Sequence, residues 1–160
     1  MARNPKTNAS VPGPESDLAG FLRKYTAEIA ATAEAALAKM RSLLPGALEL
    51  VYDSYNGLAI AFGPNERTSE AIFSITLYPR WVSLFFTKGA ALNDPRGLLR
   101  GSGKTIRHIV LDDAAKLDEP AVRALIAQAL RQAVTPIDSR KANRIVIKSI
   151  SARQRPRRPA

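Results

Sequence analysis

The sequence predicts an α+β fold, a two-layer sandwich in which an antiparallel meander of five to six strands is covered on one face by two long helices. Apolar residues recur at three- and four-residue spacing near both ends of the body of the chain. Between these regions the apolar residues alternate with a period of two, and turn residues separate the alternating segments. This order indicates helices packed on consecutive hairpins.

Two helices are predicted before the first strand. Ser16 can cap a short helix, and Thr26 can cap a longer one that ends at Pro45-Gly46. The apolar residues of the short helix are Leu18, Phe21, Leu22 and Tyr25. Those of the longer helix form one stripe and are Ile29, Ala33, Ala36, Leu37, Met40, Leu43 and Leu44.

From Leu48 the apolar period changes to two, which predicts a first strand. One face of this strand carries Leu48, Leu50 and Tyr52, and the other carries Glu49, Val51 and Asp53. Asn56-Gly57 is the preferred dipeptide of a two-residue hairpin, because both positions tolerate positive φ. The next strand is therefore expected directly after it, over residues 58–62.

Four more strands and one helix complete the predicted fold. Tyr78-Pro79-Arg80 is a turn, because proline presets the φ that a turn requires. Asp118 is expected to cap a helix that has Pro120 in its first turn. The remaining predicted strands cover residues 71–77, 81–86, 104–111 and 144–150.

Length and charge predict one domain with a basic end. A chain of 160 residues with 46% apolar residues can build one sizeable core. Residues 1–15 contain three prolines and are predicted to be a disordered lead-in, residues 16–150 the domain, and residues 151–160 a basic tail. From Ile137 onward eight basic residues and one acid give +7 of the net charge of +10.

Composition excludes several classes of site and predicts a cytoplasmic protein without a membrane segment. The chain has no cysteine, which excludes disulfides, thiolate catalysis and cysteine-based zinc sites. No apolar run approaches the eighteen residues of a membrane span, and no secretory signal is recognisable. His108 is the one histidine, so a histidine pair of metal ligands is excluded.

The segment Arg100-Gly101-Ser102-Gly103-Lys104-Thr105 resembles a phosphate-binding loop only superficially. That motif needs a glycine five positions before the second glycine, and Leu98 stands there. The alternating residues after Lys104 predict a strand, whereas phosphate binding needs a helix N-terminus. The sequence therefore does not predict a nucleotide hydrolase, and no other pattern predicts an enzyme.

Polar and aromatic residues at two successive hairpin ends predict a ligand pocket, since such pockets combine apolar walls with a few polar groups. The candidate residues are Tyr52, Tyr55, Asn56, Arg80, Trp81 and His108. In the alternative, the rings cap the core, Asn56 serves the turn and His108 is a partly buried imidazole. The expected function is a small non-enzymatic binding domain for an unidentified small molecule or protein.

Two further binding functions are alternatives. Glu49 and Asp53 share one strand face and can bracket a hard cation, although a solvated face explains them equally. The tail can contact nucleic-acid phosphates non-specifically through Arg153, Arg155, Arg157 and Arg158. Against this, its prolines prevent a basic helix and no aromatic residue is interleaved for base stacking. A solvated or partner-contacting tail is the other interpretation.

Residues 16 to about 133 resemble the bacterial YdhG-like domain, a family largely of unknown function. The segments that carry the resemblance are Leu43-Leu44-Pro45-Gly46-Ala47, Val51-Tyr52-Asp53-Ser54-Tyr55-Asn56, Tyr78-Pro79-Arg80-Trp81-Val82, Leu99-Arg100-Gly101-Ser102-Gly103-Lys104 and Ile106-Arg107-His108. Residues 145–158 look like an extension found in one subgroup. The resemblance implies a frataxin-like sandwich. Some relatives are described as iron chaperones, which implies iron as an alternative ligand of Glu28, Glu34, Glu49 and Asp53.

Overall fold

The computed structural model describes residues 13–160, which form three α-helices and six strands. The helices are α1 (Pro14–Leu22), α2 (Ala27–Leu43) and α3 (Pro120–Gln132). The strands are β1 (Leu48–Asp53), β2 (Leu58–Gly63), β3 (Phe73–Leu77), β4 (Val82–Phe86), β5 (Arg107–Leu111) and β6 (Arg144–Ile150). Most of the predicted lead-in, residues 1–12, lies outside the described residues, whereas Pro14 and Glu15 belong to α1.

The six strands form one sheet in the order β5-β4-β3-β2-β1-β6. Strands β1 to β5 pair antiparallel in sequence, as the hairpin pattern predicts. Strand β6 pairs parallel to β1, so the prediction of a pure antiparallel meander is wrong at this edge. The segment after β5 returns across the sheet, and the next strand therefore enters beside the free edge of β1 in the same direction.

All three helices contribute to one apolar core on one face of the sheet. Helix α1 lies against β6, and α2 crosses β3 and β4. Helix α3 adds Val122, Leu125 and Ile126 to the same core. The helices have 9, 17 and 13 residues, so the expected cover of two long helices is wrong because the short α1 also packs on the sheet.

Strand β1 is buried on both faces. Its residues Leu48 and Leu50 lie in a smaller apolar cluster on the outer face of the sheet, together with Ala61 and Ala71. Val51 lies in the main core under the helices. The predicted division of the two faces is correct, but the helices cover the face that carries Glu49 and Asp53. The outer face of β1 is buried because Tyr52 and Val146 also pack against this smaller cluster.

The ends of α2 follow the sequence signals. The Thr26 side chain accepts a hydrogen bond from the Ile29 N–H at 3.3 Å, which confirms the predicted cap. Gly46 has a φ of 87°, and a Cβ there would lie 1.9 Å from the Asp138 carbonyl oxygen. Glycine is therefore required where α2 ends, both for its backbone conformation and for close packing against the segment before β6.

The predicted caps of the other two helices are displaced by a few residues. Helix α1 begins at Pro14, so Ser16 lies inside the first turn and bonds back to Gly13. Helix α3 has Glu119 as its N-cap, with Pro120 as its first residue. Asp118 instead binds Lys39 and Arg123.

The Asn56-Gly57 hairpin differs from the prediction. The loop spans residues 54–57, and neither of these two residues has a positive φ. Gly57 serves close packing instead, because a Cβ there would lie 2.5 Å from the Leu77 carbonyl oxygen. At the opposite end of the sheet, a loop follows Lys104 and β5 begins at Arg107, so the helix of a phosphate-binding loop is absent there. Across residues 13–160 no helix is both long and apolar enough to cross a membrane.

Candidate functional site

One end of the sheet gathers the ends of several strands. Strands β1, β3, β5 and β6 finish there, and β2 and β4 begin there, because Leu58 pairs with both Asp53 and Leu77 and Val82 pairs with Leu111. We call this surface the arginine end and define it as residues 53–57, 78–81 and 151–160. These segments contain five arginines and a single acidic residue, Asp53.

Asp53 is fully buried and lies between two cations. Its Oδ1 accepts a hydrogen bond from Arg157 Nη2 at 2.9 Å, and its Oδ2 accepts one from Lys24 Nζ at 2.8 Å. The Arg157 side chain is only 4% exposed, whereas that of Lys24 is 41% exposed. A buried carboxylate without such partners would be strongly unfavourable, so the two cations compensate its burial.

Arg157 also binds the backbone that leaves β1. Its guanidinium donates to the carbonyl oxygens of Ser54 and Tyr55 and lies 5.8 Å from the centre of the Tyr25 ring. The Ser151 N–H donates to the Asp53 carbonyl oxygen at 2.8 Å, and the Arg155 N–H donates to that of Tyr55 at 2.9 Å. The tail therefore follows the β1–β2 loop and is attached along it.

Burial and hydrogen bonding shift the pKa values of two side chains, Asp53 and Tyr25. Burial acts to raise the pKa of Asp53, but hydrogen bonds from Lys24, Gln154 and Arg157 outweigh it and hold that pKa below its usual value. Burial of the Tyr25 hydroxyl raises its pKa to about 12, against a smaller opposing effect of Arg157. Asp53 is therefore ionised and Tyr25 neutral at neutral pH, which keeps the Asp53–Arg157 pair charged.

Aromatic rings and guanidinium groups are exposed together on the outside of this end. Tyr55 is 45% exposed and Trp81 is 47% exposed. The Arg155 guanidinium carbon lies 5.6 Å from the centre of the Tyr55 ring, and the Trp81 ring packs on Tyr78 with centroids 5.5 Å apart. The two loops that hold Tyr55 and Trp81 are separated by about two strand spacings, roughly 10 Å. Further exposed basic residues here are Arg80, Arg153 and Arg158.

The structure brings only part of the predicted ligand pocket together. Tyr55, Asn56, Arg80 and Trp81 lie at the arginine end. Tyr52 lies on the outer face of β1 with its hydroxyl against Thr68 Oγ1. His108 lies on β5, where its ring packs on Phe85 at a centroid distance of 5.1 Å. Three strands separate β5 from β1, so these six residues do not line one cavity.

Two concave regions occur elsewhere in the described structure. A cleft of about 870 Å³ lies between α1, α2 and the start of β6, with the Arg41–Glu49 pair in its lining. A cavity of about 60 Å³ lies at the C-terminal end of α3 beside Glu70 and Thr135. Neither is lined by a residue of the predicted pocket.

The four carboxylates considered for iron are kept apart or already neutralised. Glu28 and Glu34 are exposed on α2. Glu49 is buried and accepts hydrogen bonds from Arg41 Nε and Nη2 at 2.8 and 2.7 Å. Asp53 is bound by Lys24 and Arg157. Within residues 13–160 no group of three acidic or histidine side chains is arranged to hold a metal, and the solvated strand face considered for Glu49 and Asp53 is wrong.

Sequence reasoning missed Lys24, Tyr25 and the inward position of Arg157. A signal was present, because Asp53 shares a strand face with the apolar Val51 and a carboxylate on such a face needs a cationic partner. The partner itself is 104 residues away in sequence, so local pattern does not identify it. The nucleic-acid role predicted for the tail accordingly stays a prediction for Arg153, Arg155 and Arg158, while Arg157 serves the fold.

Comparisons of the chain with protein-family models, curated proteins and solved structures found no match. The resemblance to the YdhG-like domain stays a prediction.

Proposed function

We propose that this protein is a non-enzymatic binding domain for single-stranded nucleic acid and that the arginine end is its binding surface. The main support is the cation–π contact of the Arg155 guanidinium with the exposed Tyr55 ring, together with the second exposed ring, Trp81, on the β3–β4 loop. Proteins that bind single strands without sequence preference combine basic side chains for the backbone with aromatic rings for the bases. The arginine end has both elements within reach of one strand.

The charge of this surface favours phosphates. Arg80, Arg153, Arg155 and Arg158 are exposed, and arginine matches the geometry of phosphate oxygens well. The single acid of the surface does not oppose binding, because Asp53 is buried and neutralised by two cations. Two exposed acids, Asp112 and Asp113, follow β5 at the same end of the sheet beside Trp81, so the positive charge is concentrated on the side of the tail. The affinity should fall with salt as counterions are released there.

The position of the rings favours single strands over duplexes. Tyr55 and Trp81 lie on loops, where an unstacked base can approach the face of a ring. The bases of a duplex are stacked on one another and do not offer these faces. The tail contains Pro156 and Pro159 and forms no helix, so it does not provide an element for the major groove.

Titration of the full chain with a fluorescently labelled twelve-residue oligothymidylate tests this proposal. Trp81 is the single tryptophan of the chain, so quenching of its emission reports stacking directly. Tyr55→Ala and Trp81→Ala should each weaken binding by about five-fold or more, the effect of losing one stacked base. Arg155→Ala should weaken binding and flatten its salt dependence.

Matched substitutions outside the surface control for non-specific charge and apolar effects. Arg140→Ala removes an arginine with an 89% exposed side chain, and Val134→Ala alters the most exposed large apolar residue described. Both should leave the affinity within two-fold. Binding no tighter than millimolar at low salt, or equal losses in Arg140→Ala and Arg155→Ala, would contradict the proposal.

A further inference from the structure

We infer that the bound strand continues from Trp81 along the outer face of β4 and stacks a second time on the ring pair of Phe85 and His108. This inference rests on the proposed function and specifies the path of its ligand. It assigns a role to a sheet face that none of the described helices covers.

Trp81 and Phe85 lie on the same side of the sheet. Val82, Leu84 and Phe86 point into the core, so the residues between and beside them point outward. The Tyr78 N–H donates to the Trp81 carbonyl oxygen at 2.9 Å, which places Trp81 in register with the hairpin. At about 3.3 Å per residue, Trp81 and Phe85 are roughly 13 Å apart along the strand.

Phe85 and His108 form a ring pair across two strands. They are direct partners in the β4–β5 register, and their centroids are 5.1 Å apart with an angle of 31° between the planes. Both are half-buried; of their nearest outward neighbours, Ser74 on β3 is also half-buried and Ser83 on β4 is only 1% exposed. The exposed part of the ring pair offers a surface on which a base can stack.

A basic loop borders this ring pair. Arg100 exchanges two backbone hydrogen bonds with His108, at 2.8 and 2.9 Å, which fixes it beside the ring. Residues 95–107 contain four basic residues and no acid. The preceding acid, Asp94, has both carboxylate oxygens bound by the N–H groups of Leu98 and Leu99. Phosphates that pass Phe85 and His108 would therefore meet Arg100 and its neighbours.

The residues on the outer face of β3 and β4 favour nucleic acid over a protein partner. An amphipathic helix or apolar peptide needs a continuous apolar surface. Here the outward residues of β3 are Ser74 and Thr76, which are half-buried and whose hydroxyls lie 3.1 Å apart, while Ser83 on β4 is buried. A polar floor between isolated rings, with a basic border, fits a strand of stacked bases and phosphates better.

Ligand length tests the path. A thymidine dinucleotide has one base step, which is too short to join sites about 13 Å apart, since stacked bases are about 3.4 Å apart along a strand. His108→Ala should weaken binding of the twelve-residue oligothymidylate by about five-fold and leave dinucleotide binding, measured by Trp81 emission, within two-fold. His108→Phe keeps a ring and should bind the longer ligand as the unmodified chain does. Val110→Ala, the next outward residue of β5, should change neither affinity.

The outcomes separate the two proposals. If Trp81→Ala weakens the longer ligand but His108→Ala leaves it unchanged, the arginine end binds nucleic acid and the inferred path is wrong. If His108→Phe loses as much affinity as His108→Ala, stacking at this position is refuted. Phe85→Leu checks the ring pair from its other side and should reproduce the length-dependent loss. If neither Tyr55→Ala nor Trp81→Ala weakens binding of the labelled twelve-residue oligothymidylate, the proposed function fails, and the path fails with it.

Discussion

Glu49 and Asp53 are buried carboxylates on the same face of β1, four residues apart, yet they are neutralised in different ways. Glu49 is bound by Arg41, which lies eight residues earlier and has a side chain that is 38% exposed. Asp53 is bound by Arg157, which lies 104 residues later and has a side chain that is 4% exposed. The first pair joins consecutive elements, and the second joins β1 to the tail.

From this difference we expect the exposure of the cation to determine how much each buried carboxylate contributes to stability. If Glu49 is removed, Arg41 still reaches water. If Asp53 is removed, Arg157 remains buried with only backbone carbonyl groups as partners, and an uncompensated buried charge is strongly destabilising. The two ends of β1 should therefore respond very differently to the loss of one carboxylate.

The largest effect is expected from Asp53→Ala. Removing one partner of a buried ion pair costs about 3–5 kcal/mol, and Arg157 cannot leave its site without detaching the tail. Urea denaturation followed by circular dichroism measures the loss of unfolding free energy. Arg157→Ala in the same background should add little, because the two residues act together. If Asp53→Ala lowers the unfolding free energy by less than about 1 kcal/mol, the Asp53–Arg157 pair contributes no more than an exposed salt bridge, and the prediction is wrong.

A smaller effect is expected from Glu49→Ala. Arg41 keeps its hydration, so the cost is that of lost hydrogen bonds to a charged group, about 1–3 kcal/mol. The same denaturation experiment compares it with Glu28→Ala, an exposed carboxylate of α2 whose removal should change stability by about 0.5 kcal/mol or less. If Glu49→Ala proves as destabilising as Asp53→Ala, exposure of the partner is not the deciding factor.

The last and smallest expected effect is on the pH dependence of the unfolding free energy. Protonation of Asp53 should change this free energy in acid and not at neutral pH. Its pKa is lower in the folded protein than in the unfolded chain, where it is about 3.9. The unfolded state therefore takes up this proton first, and the stability that Asp53 contributes is present above about pH 4 and is lost as the pH falls below it. Unfolding free energies measured from pH 7 to pH 2 should show a steeper acid decline in the unmodified chain than in Asp53→Asn. Parallel curves for the two proteins would rule out this linkage.

Local pattern predicted the elements well because each one has its own signal. The Thr26 cap, the stop at Gly46 and the alternation from Leu48 are all properties of neighbouring residues. The direction of β6 is not such a property. Its apolar run, Ile145-Val146-Ile147, predicts a strand, but the free edge of β1 and the path of the chain after β5 decide how that strand pairs.

The individual residues of the candidate site could be predicted from the sequence, but their proximity in the fold could not. The sequence places Tyr55 and Trp81 at hairpin ends, as residues of a ligand pocket or caps of the core, and Arg155 in the basic tail. In the sequence no ring is near the tail arginines, which argued against base stacking. The fold supplies the ring, because parallel pairing of β6 with β1 brings residue 155 beside residue 55.

The late position of Arg157 affects how the chain folds during its synthesis. Asp53 enters the buried face of β1 early, but its arginine partner emerges from the ribosome only after a further hundred residues. Until then the carboxylate has Lys24 as its nearby cation, and β1 lacks its β6 neighbour. Contacts of such large sequence separation form slowly. The nascent chain should therefore remain incompletely closed, and accessible to chaperones and proteases, until Arg157 has emerged and bound Asp53.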